Sequence, residues 1–448
     1  MSRLLDLSGW AVDLTPLRVN RQFRLLFTGR LVSVFGLGML AVVLSVQVYD
    51  LTGSSLQVAA VNTVLGTATL LGSLAGGVLA DRVDRRKVVL VSRALAVAGF
   101  VALALNATAE HPSVAVLYVF AVWDGATGAV GASAFGAAVP AVVPPSMLPA
   151  TGALMALCLD LGSVAAPLVA GFVTGAGGPA AVYWSVVAVS TASWLVLFRL
   201  DPVVPERSAG QGPDARTGWA VGRAVADLRE GFAFARSDRV VGGVLLVGFL
   251  QIFFASPHVL VPEFVGDDLG GGPEAVGLVY AAPAAGALLA GVCSGWIPRV
   301  RRTGVLLVVV PAVSALAVAA FGLAPAVWFA VVAMTVVGVT DVIGEVLRFT
   351  VLAERTPDRL RGRVQSIWSA QVTVGDTLGG PLLALGARAF GTSPVIAVGG
   401  LFAAVTTLVL LLTRPELRRH TSGGAPGTPH EPENEPPHEP HENLQESR

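Results

Sequence analysis

Long apolar stretches recur along the chain and constrain its fold more than any other feature. About 20 helical residues cross the roughly 30 Å hydrocarbon core of a bilayer. Twelve stretches approach or exceed that length: 24–49, 57–80, 88–106, 113–143, 147–173, 181–199, 240–265, 274–297, 304–322, 325–352, 364–388 and 393–413. Of the 448 residues 54% are hydrophobic and 13% charged, so one soluble core could not hide this surface. The sequence predicts an all-α polytopic membrane protein with twelve transmembrane helices.

The longest polar stretch between these spans separates the sixth from the seventh and divides the chain into two six-helix, pseudo-symmetric halves. We expect a cytoplasmic N-terminus over 1–23, an N-terminal half over 24–199, a Pro- and Gly-rich cytoplasmic linker over 200–239 and a C-terminal half over 240–413. The tail over 414–448 is rich in Pro, Glu, Gly and His. Because it lacks apolar periodicity, it is predicted to be a disordered cytoplasmic tail.

Basic residues predict the orientation, because they favour the cytoplasmic side of a membrane. With an even number of spans, both termini share one side with the central linker and with the loops at Arg82–Lys87, Arg299–Arg302 and Arg355–Arg363. The loops of the opposite side carry only Arg388. We therefore expect a multi-pass protein of the cytoplasmic (inner) membrane with both termini in the cytoplasm.

Charged residues inside membrane spans cost several kcal/mol and are therefore candidates for function. Six of them form the candidate set for proton coupling or substrate binding: Arg30, Asp124, Asp160, Asp341, Glu345 and Asp376. On the tenth span Asp341, Glu345 and Arg348 share a helical face and could form an internal ion pair. Such an ion pair would have a structural role. The spacing fits this interpretation and a functional role equally well.

A carboxyl group that couples transport to protons must instead change its protonation during the cycle, which burial promotes by disfavouring the charged form. Asp124 and Asp376 are the first candidates for this role. Arg30 could attract an anionic substrate or pair with one of the acids, and the sequence leaves both possibilities open.

The fifth and eleventh spans each place small residues before a proline. The fifth contains Gly162, Pro167 and Gly171, and the eleventh contains Pro381. Small residues let helices approach closely and a proline permits a bend, so the two helices could form a gate. A purely structural kink is an equally good interpretation.

The loop between the second and third spans carries the most specific motif, which consists of Gly77, Asp81, Arg82, Arg85 and Arg86. It resembles the signature loop of the major facilitator superfamily, with Asp84 where glycine is more usual. The resemblance implies the two-half transporter fold and a gating loop in which Asp81 pairs with arginines and caps neighbouring helix ends. The alternative is a basic cluster that only sets topology.

Further segments resemble the exporters of that superfamily, and in particular siderophore exporters within its drug–proton antiporter branch. They are Phe23–Ser33, Leu117–Gly125, Leu161–Gly171, Tyr280–Gly286 and Gly362–Asp376. The resemblance implies export of an enterobactin-like siderophore by proton antiport with alternating access, in a monomer surrounded by membrane lipid. The alternatives are a multidrug or macrolide-type efflux carrier and, in another class, a transport-inactive membrane sensor.

Enzymatic motifs are missing from the sequence. It has no HExxH zinc pair and no GxSxG elbow, and the sole lysine, Lys87, follows an arginine rather than the glycine of a P-loop. The formal net charge of zero gives no reason to expect a nucleic-acid partner. We therefore predict that the chain is not an enzyme and needs no cofactor or metal.

Overall fold

The computed structural model describes residues 13–203, 229–293, 303–413 and 416, and these residues contain eleven long helices. In chain order they are α1 (Arg21–Thr52), α2 (Ser55–Arg82), α3 (Arg85–Thr108), α4 (Val114–Val142), a continuous Leu148–Leu197 helix, α7 (Arg239–Phe254), α8 (Pro273–Cys293), α9 (Thr303–Gly322), α10 (Val327–Arg355), α11 (Asp358–Phe390) and α12 (Thr392–Thr413). Leu148–Leu197 supplies two spans, α5 before and α6 after Gly178, which makes twelve.

The turn between α5 and α6 is made by a single residue. Gly178 has φ 71° and ψ −180°, a backbone conformation that glycine adopts without a steric penalty. Pro179 follows at once, where its fixed φ suits the first turn of a helix. The two predicted spans 147–173 and 181–199 are therefore confirmed as separate helical segments, although no loop separates them.

Ten helical stretches among the described residues are long and apolar enough to cross a membrane, and the Leu148–Leu197 helix with its preceding turn counts as one of them. The remaining span, α11, has 33 residues but is less apolar on average than the others. Large apolar side chains cover the outside of the bundle, among them Val119 at 70% exposed and Phe390 at 76%. An all-α polytopic membrane protein is thereby confirmed.

The predicted span 240–265 is not one continuous helix. Helix α7 ends at Phe254, and the chain then passes through the short turns His258–Leu260 and Val261–Glu263 into a π-helical segment, Phe264–Asp268. Pro257, which has no N–H to donate, lies in the break. This irregular segment places acidic side chains at the end of the bundle, where they contact the other half.

The helices of the two halves pack in the same pattern. In the N-terminal half (α1–α6), α2 packs on α4, α1 on the α5–α6 helix and α3 on the α5–α6 helix. In the C-terminal half (α7–α12), α8 packs on α10, α7 on α11 and α9 on α12. The pairing confirms the predicted pseudo-symmetry. Across the halves, α5 packs on α8 and α2 on α11, so these four helices form the seam.

Candidate functional site

Polar side chains join the halves at the distal end of the bundle, which we define as the end where α1 stops and α2 begins. The Tyr49 hydroxyl donates to Asp267 Oδ2 over 2.5 Å, and the Ser55 hydroxyl donates to Glu263. Glu263 also accepts a hydrogen bond of 2.6 Å from Thr392 Oγ1. One carboxylate thus ties α2 of the N-terminal half to the start of α12 in the C-terminal half.

Glycines close the same end where α5 meets α8. A Cβ added to Gly171 would lie 2.8 Å from Pro273 O and 3.0 Å from Gly277 Cα. A Cβ added to Gly277 would lie 2.6 Å from Pro167 O and 2.9 Å from Gly171 Cα. The two backbones therefore touch without any side chain between them, and only glycine fits on either side.

Residues of the predicted helix-bend motif take part in this contact. Helix α5 stays helical through Pro167, and the break falls at Gly178 instead. Gly162 packs against Val34 of α1, while Pro167 and Gly171 face α8. The motif thus packs α5 tightly against two neighbours, one from each half.

Helix α11 repeats this arrangement in the C-terminal half. It continues through Pro381, and the preceding Gly379 would place a Cβ only 2.7 Å from the carbonyl oxygen of Phe253 in α7. On another face of α11 the Thr377 carbonyl accepts a 3.0 Å hydrogen bond from the Thr63 hydroxyl of α2. Each seam helix therefore packs closely on a helix of its own half and contacts one of the other half.

Asp160 is exposed and lies on the same face of α5 as Pro167 and Gly171, seven and eleven residues away. Those two residues are covered by α8, whereas Asp160 is not. The carboxylate therefore faces the gap between the halves, nearer the proximal end, which is the end where α1 begins.

A charged cluster lies inside the N-terminal half. Asp124 on α4 is buried, and its carboxylate is attracted by the positive charge of Arg93 on α3. Arg93 is in turn repelled by the like charge of Arg30. The Arg30 guanidinium carbon lies 5.5 Å from the centre of the Phe135 ring. Arg30 and Phe135 line a cavity of about 370 Å³ together with Thr151.

Arg93 is a member of this cluster that the sequence analysis missed. It follows Lys87 by six residues and lies beyond the basic loop at Arg82–Lys87. The signal that could have revealed it is its position within the predicted third span, 88–106, where a charged residue is costly.

A second charged cluster lines a cavity of about 350 Å³ in the C-terminal half. The Ser314 hydroxyl donates to Asp341 Oδ1 over 3.1 Å, and Glu345 forms an ion pair with Arg348. The Arg348 guanidinium stacks on Trp368 of α11, with its carbon 3.2 Å from the ring centre. The ion pair predicted from the spacing on α10 is thus present, and the aromatic partner comes from a different helix.

The two clusters occupy corresponding places, since each contains an aspartate on the fourth helix of its half. Asp376 belongs to the α11 helix, but its side chain lies outside the described part of the structure. The same holds for the side chains of Asp81 and Arg82 in the loop motif. The arrangement thus offers two acid-containing sites on either side of the seam between the halves, with Asp124 buried in one and Asp341 exposed to the cavity in the other.

The α2–α3 loop is fastened within the N-terminal half. Arg85 Nη1 donates to the Ala137 carbonyl of α4 over 3.0 Å, and Arg86 Nη2 donates to Phe198 O at the end of α6 over 2.8 Å. Both arginines thus place a positive charge near a helix C-terminus, where it complements the partial negative charge of the carbonyl groups. Gly77 lies near the end of α2 and is exposed, with no atom within 4 Å of the position of an added Cβ.

Asp84, which replaces the glycine of the superfamily motif, has a definite role. Its Oδ1 accepts from Arg86 N over 3.0 Å as the N-cap of α3, and from Val203 N over 3.1 Å. The carboxylate therefore fixes the start of α3 and holds the chain that leaves α6. These contacts give the loop a defined geometry inside one half.

A bundle of twelve helices in two similar halves, with charged clusters on both sides of a common seam, defines a multi-pass inner-membrane transporter. The family described as transmembrane secretion effector matches residues 11–435. The chain belongs to this family of the major facilitator superfamily, and it is a transporter rather than an enzyme.

Similar proteins include enterobactin exporters of three genera. The enterobactin exporter EntS of Shigella boydii serotype 18 is 33% identical over 417 residues, which cover 93% of this chain and 97% of the relative. The proteins of the same name from Escherichia coli O139:H28 and Citrobacter koseri are also 33% identical, with the same coverage.

Solved structures show the same fold at low sequence identity. A peptide transporter POT in complex with sulfate gives a TM-score of 0.68 at 15% identity, covering 90% of this chain and 96% of the other. The nucleoside transporter NupG gives a TM-score of 0.69 at 14% identity, covering 88% and 98%. Both support the twelve-helix architecture.

Proposed function

We propose that this protein exports an enterobactin-like siderophore across the cytoplasmic membrane by proton antiport with alternating access. The observation that carries the proposal is the similarity to enterobactin exporters over 93% of the chain, which includes both halves and every element of the seam. If the similarity covered only one half, it would say little about the substrate, because both halves line the transport path.

Arg30 and its surroundings support an anionic aromatic substrate. In the cavity of the N-terminal half the guanidinium lies beside the Phe135 ring, and Thr151 supplies a hydroxyl group. A catechol-type chelator presents flat rings and acidic hydroxyl groups, so an arginine next to an aromatic ring matches both parts. We assign Arg30 to attraction of the substrate. Asp160, which faces the gap between the halves, remains a candidate for substrate binding or proton coupling.

Asp124 is our first candidate for proton coupling. Its carboxyl group is buried beside Arg93, so uptake of a proton would leave the Arg93 charge without its partner inside an apolar bundle. That imbalance gives the protonated and deprotonated states different preferred packings, which is what coupling requires. Asp341, beside Ser314 in the other half, is the equivalent acid, and Asp376 remains a candidate.

The distal contacts fit the substrate-loading state of such an exporter. Glu263 and the Gly171–Gly277 contact close the end of the bundle opposite the N-terminus. With both termini in the cytoplasm, as the basic loops favour, substrate would enter from the proximal end and leave when the distal contacts separate. In our proposal a single chain performs this cycle, and Asp81 stabilises the opposite, distal-open state.

Iron-starved cells with and without the gene provide the test of the substrate. Mass spectrometry of culture supernatant and cell extract should show loss of a secreted siderophore and its accumulation inside the cell when the gene is deleted. An unchanged siderophore distribution, together with new sensitivity to a macrolide, would instead favour drug efflux. If neither changes, the membrane-sensor alternative gains support.

The same strain tests the coupling residue. Asp124→Asn should abolish the dependence of export on the proton gradient while the protein still reaches the membrane. Glu110→Gln, which changes an exposed acid in the α3–α4 loop, is the matched control and should export normally. Full gradient-dependent export by Asp124→Asn would remove Asp124 from the mechanism.

A further inference from the structure

A short helix over 229–237 lies against the proximal end of α11, just before α7 begins. Its Glu230 forms ion pairs with Arg359 at 3.5 Å and with Arg363 at 2.5 Å, both on α11. Gly231 packs so closely that an added Cβ would lie 3.0 Å from Ile367 Cδ1. The helix is therefore docked at a fixed place on the bundle.

A groove of about 610 Å³ runs between this helix, α7 and α11. Its walls are mostly apolar, with Phe232 of the short helix, Phe249 of α7 and Val374 of α11. Arg229 and Arg236 line it as well. Phe232 is 63% exposed, so the described residues leave most of a large aromatic side chain uncovered at this site.

The groove opens towards the membrane rather than towards the gap between the halves. It lies on the α11 face of Ile367 and Val374, which continues along the helix as exposed Leu378, Leu382 and Leu385. Gln371 also lines the groove, whereas Ser369, Thr373 and Thr377 lie on another side of α11 by helical spacing. A continuous exposed apolar face on a membrane-spanning helix is covered by lipid chains.

Among the described residues, positive charge predominates around the groove because of Arg229 and Arg236. The described acids nearest in the chain already have partners, because Glu230 binds α11 and Asp238 Oδ1 caps α7 through the N–H groups of Val240 and Val241, at 2.8 and 3.0 Å. Within the described residues, Arg229 and Arg236 form no ion pair. Their positive charge therefore faces the level of the membrane where lipid phosphates lie.

We propose that the groove binds an anionic phospholipid, with its phosphate between Arg229 and Arg236 and an acyl chain along Phe232, Phe249 and Val374. Arginine binds phosphate through paired hydrogen bonds, and the apolar wall accepts the chain. A bound lipid would hold the short helix against α7 and α11 and so connect the lipid composition of the membrane to the C-terminal half. The proposal is independent of which substrate the protein exports.

The test is native mass spectrometry of the purified full-length protein with phosphatidylglycerol or phosphatidylcholine of the same chain length. We expect phosphatidylglycerol to bind preferentially and the double variant Arg229→Gln/Arg236→Gln to lose about 30-fold in affinity, from roughly 1 kcal/mol for each interfacial arginine. Arg18→Gln/Arg21→Gln removes two exposed arginines from the proximal end of the other half and should bind like wild type.

The apolar part of the site is tested separately. Phe232→Ala should weaken phosphatidylglycerol binding, and glycerol phosphate, which has no acyl chain, should compete poorly. Equal binding of the two lipids, or an unchanged affinity in the Arg229→Gln/Arg236→Gln variant, would overturn the proposal. Tight binding of glycerol phosphate would mean a simple anion site and would overturn it as well. Thermal melting of every variant checks that each is folded.

Discussion

The contact between Gly171 and Gly277 allows a sharp prediction about the distal gate. In Gly277→Ala the new methyl group would lie 2.6 Å from Pro167 O, 2.9 Å from Gly171 Cα and 3.1 Å from Gly171 N. All three are backbone atoms, so no side-chain rotation can relieve the clash and the halves must separate. Overpacking of this kind costs about 1–3 kcal/mol, which shifts a two-state equilibrium about 5- to 150-fold towards the distal-open state.

Helix propensity does not disturb this comparison. Alanine favours a helix by about 1 kcal/mol over glycine, but that gain applies to α8 in both states and cancels from their difference. Gly128→Ala is the matched control, because Gly128 also lies within a helix and has no atom within 4 Å of the position of a Cβ. It should leave the equilibrium unchanged.

Spin-label distances across the distal end provide the assay. The native cysteines Cys158 and Cys293 are replaced by alanine, and labels are attached to cysteines introduced by Glu110→Cys and Leu323→Cys in the distal loops of the two halves. Gly277→Ala should enlarge the long-distance population relative to the background protein. If its distance distribution matches that of the background while the protein remains folded, the glycine contact does not hold the gate closed.

Two further changes test the polar contacts. Glu263→Gln keeps the shape of the side chain but removes the charge that strengthens its bonds to Ser55 and Thr392, so we expect a loss of about 1 kcal/mol and a smaller shift to the distal-open state in the same distance measurement. An unshifted distribution would mean that Glu263 has no part in closure. Asp84→Ala removes the N-cap of α3 and should destabilise the protein by about 1 kcal/mol, seen as a lower thermal midpoint, whereas Asp84→Asn should retain most of the stability.

The architecture could be predicted from the sequence because a bilayer requires long apolar helices. The predicted spans match the observed helices closely from α1 to α4, where each helix is a continuous apolar run. The interruption of α7 was missed, since the apolar residues continue through Pro257 into Val265 and hydropathy alone does not detect a break in the backbone. The break between α5 and α6 was predicted between residues 173 and 181, but hydropathy did not show that a single residue, Gly178, makes the turn.

The site was only partly predictable, because its contacts join residues that are distant in the chain. The pairing of Glu345 with Arg348 follows from helical spacing and was foreseen. The stacking of Arg348 on Trp368 depends on how α10 and α11 meet, which no local pattern encodes. Likewise the small residues of α5 indicated a close approach of helices, but only the structure identifies Gly277 as the partner.

Transport by the purified protein in lipid vesicles tests the central claim most directly. Vesicles with an acidic interior are given an external catecholate siderophore, and its accumulation is measured with and without a protonophore. Our account predicts accumulation that the protonophore abolishes, because proton efflux drives siderophore uptake through molecules whose cytoplasmic side faces outward. If the siderophore does not accumulate while a macrolide does, or if the protonophore has no effect, the protein is not a proton-driven siderophore exporter.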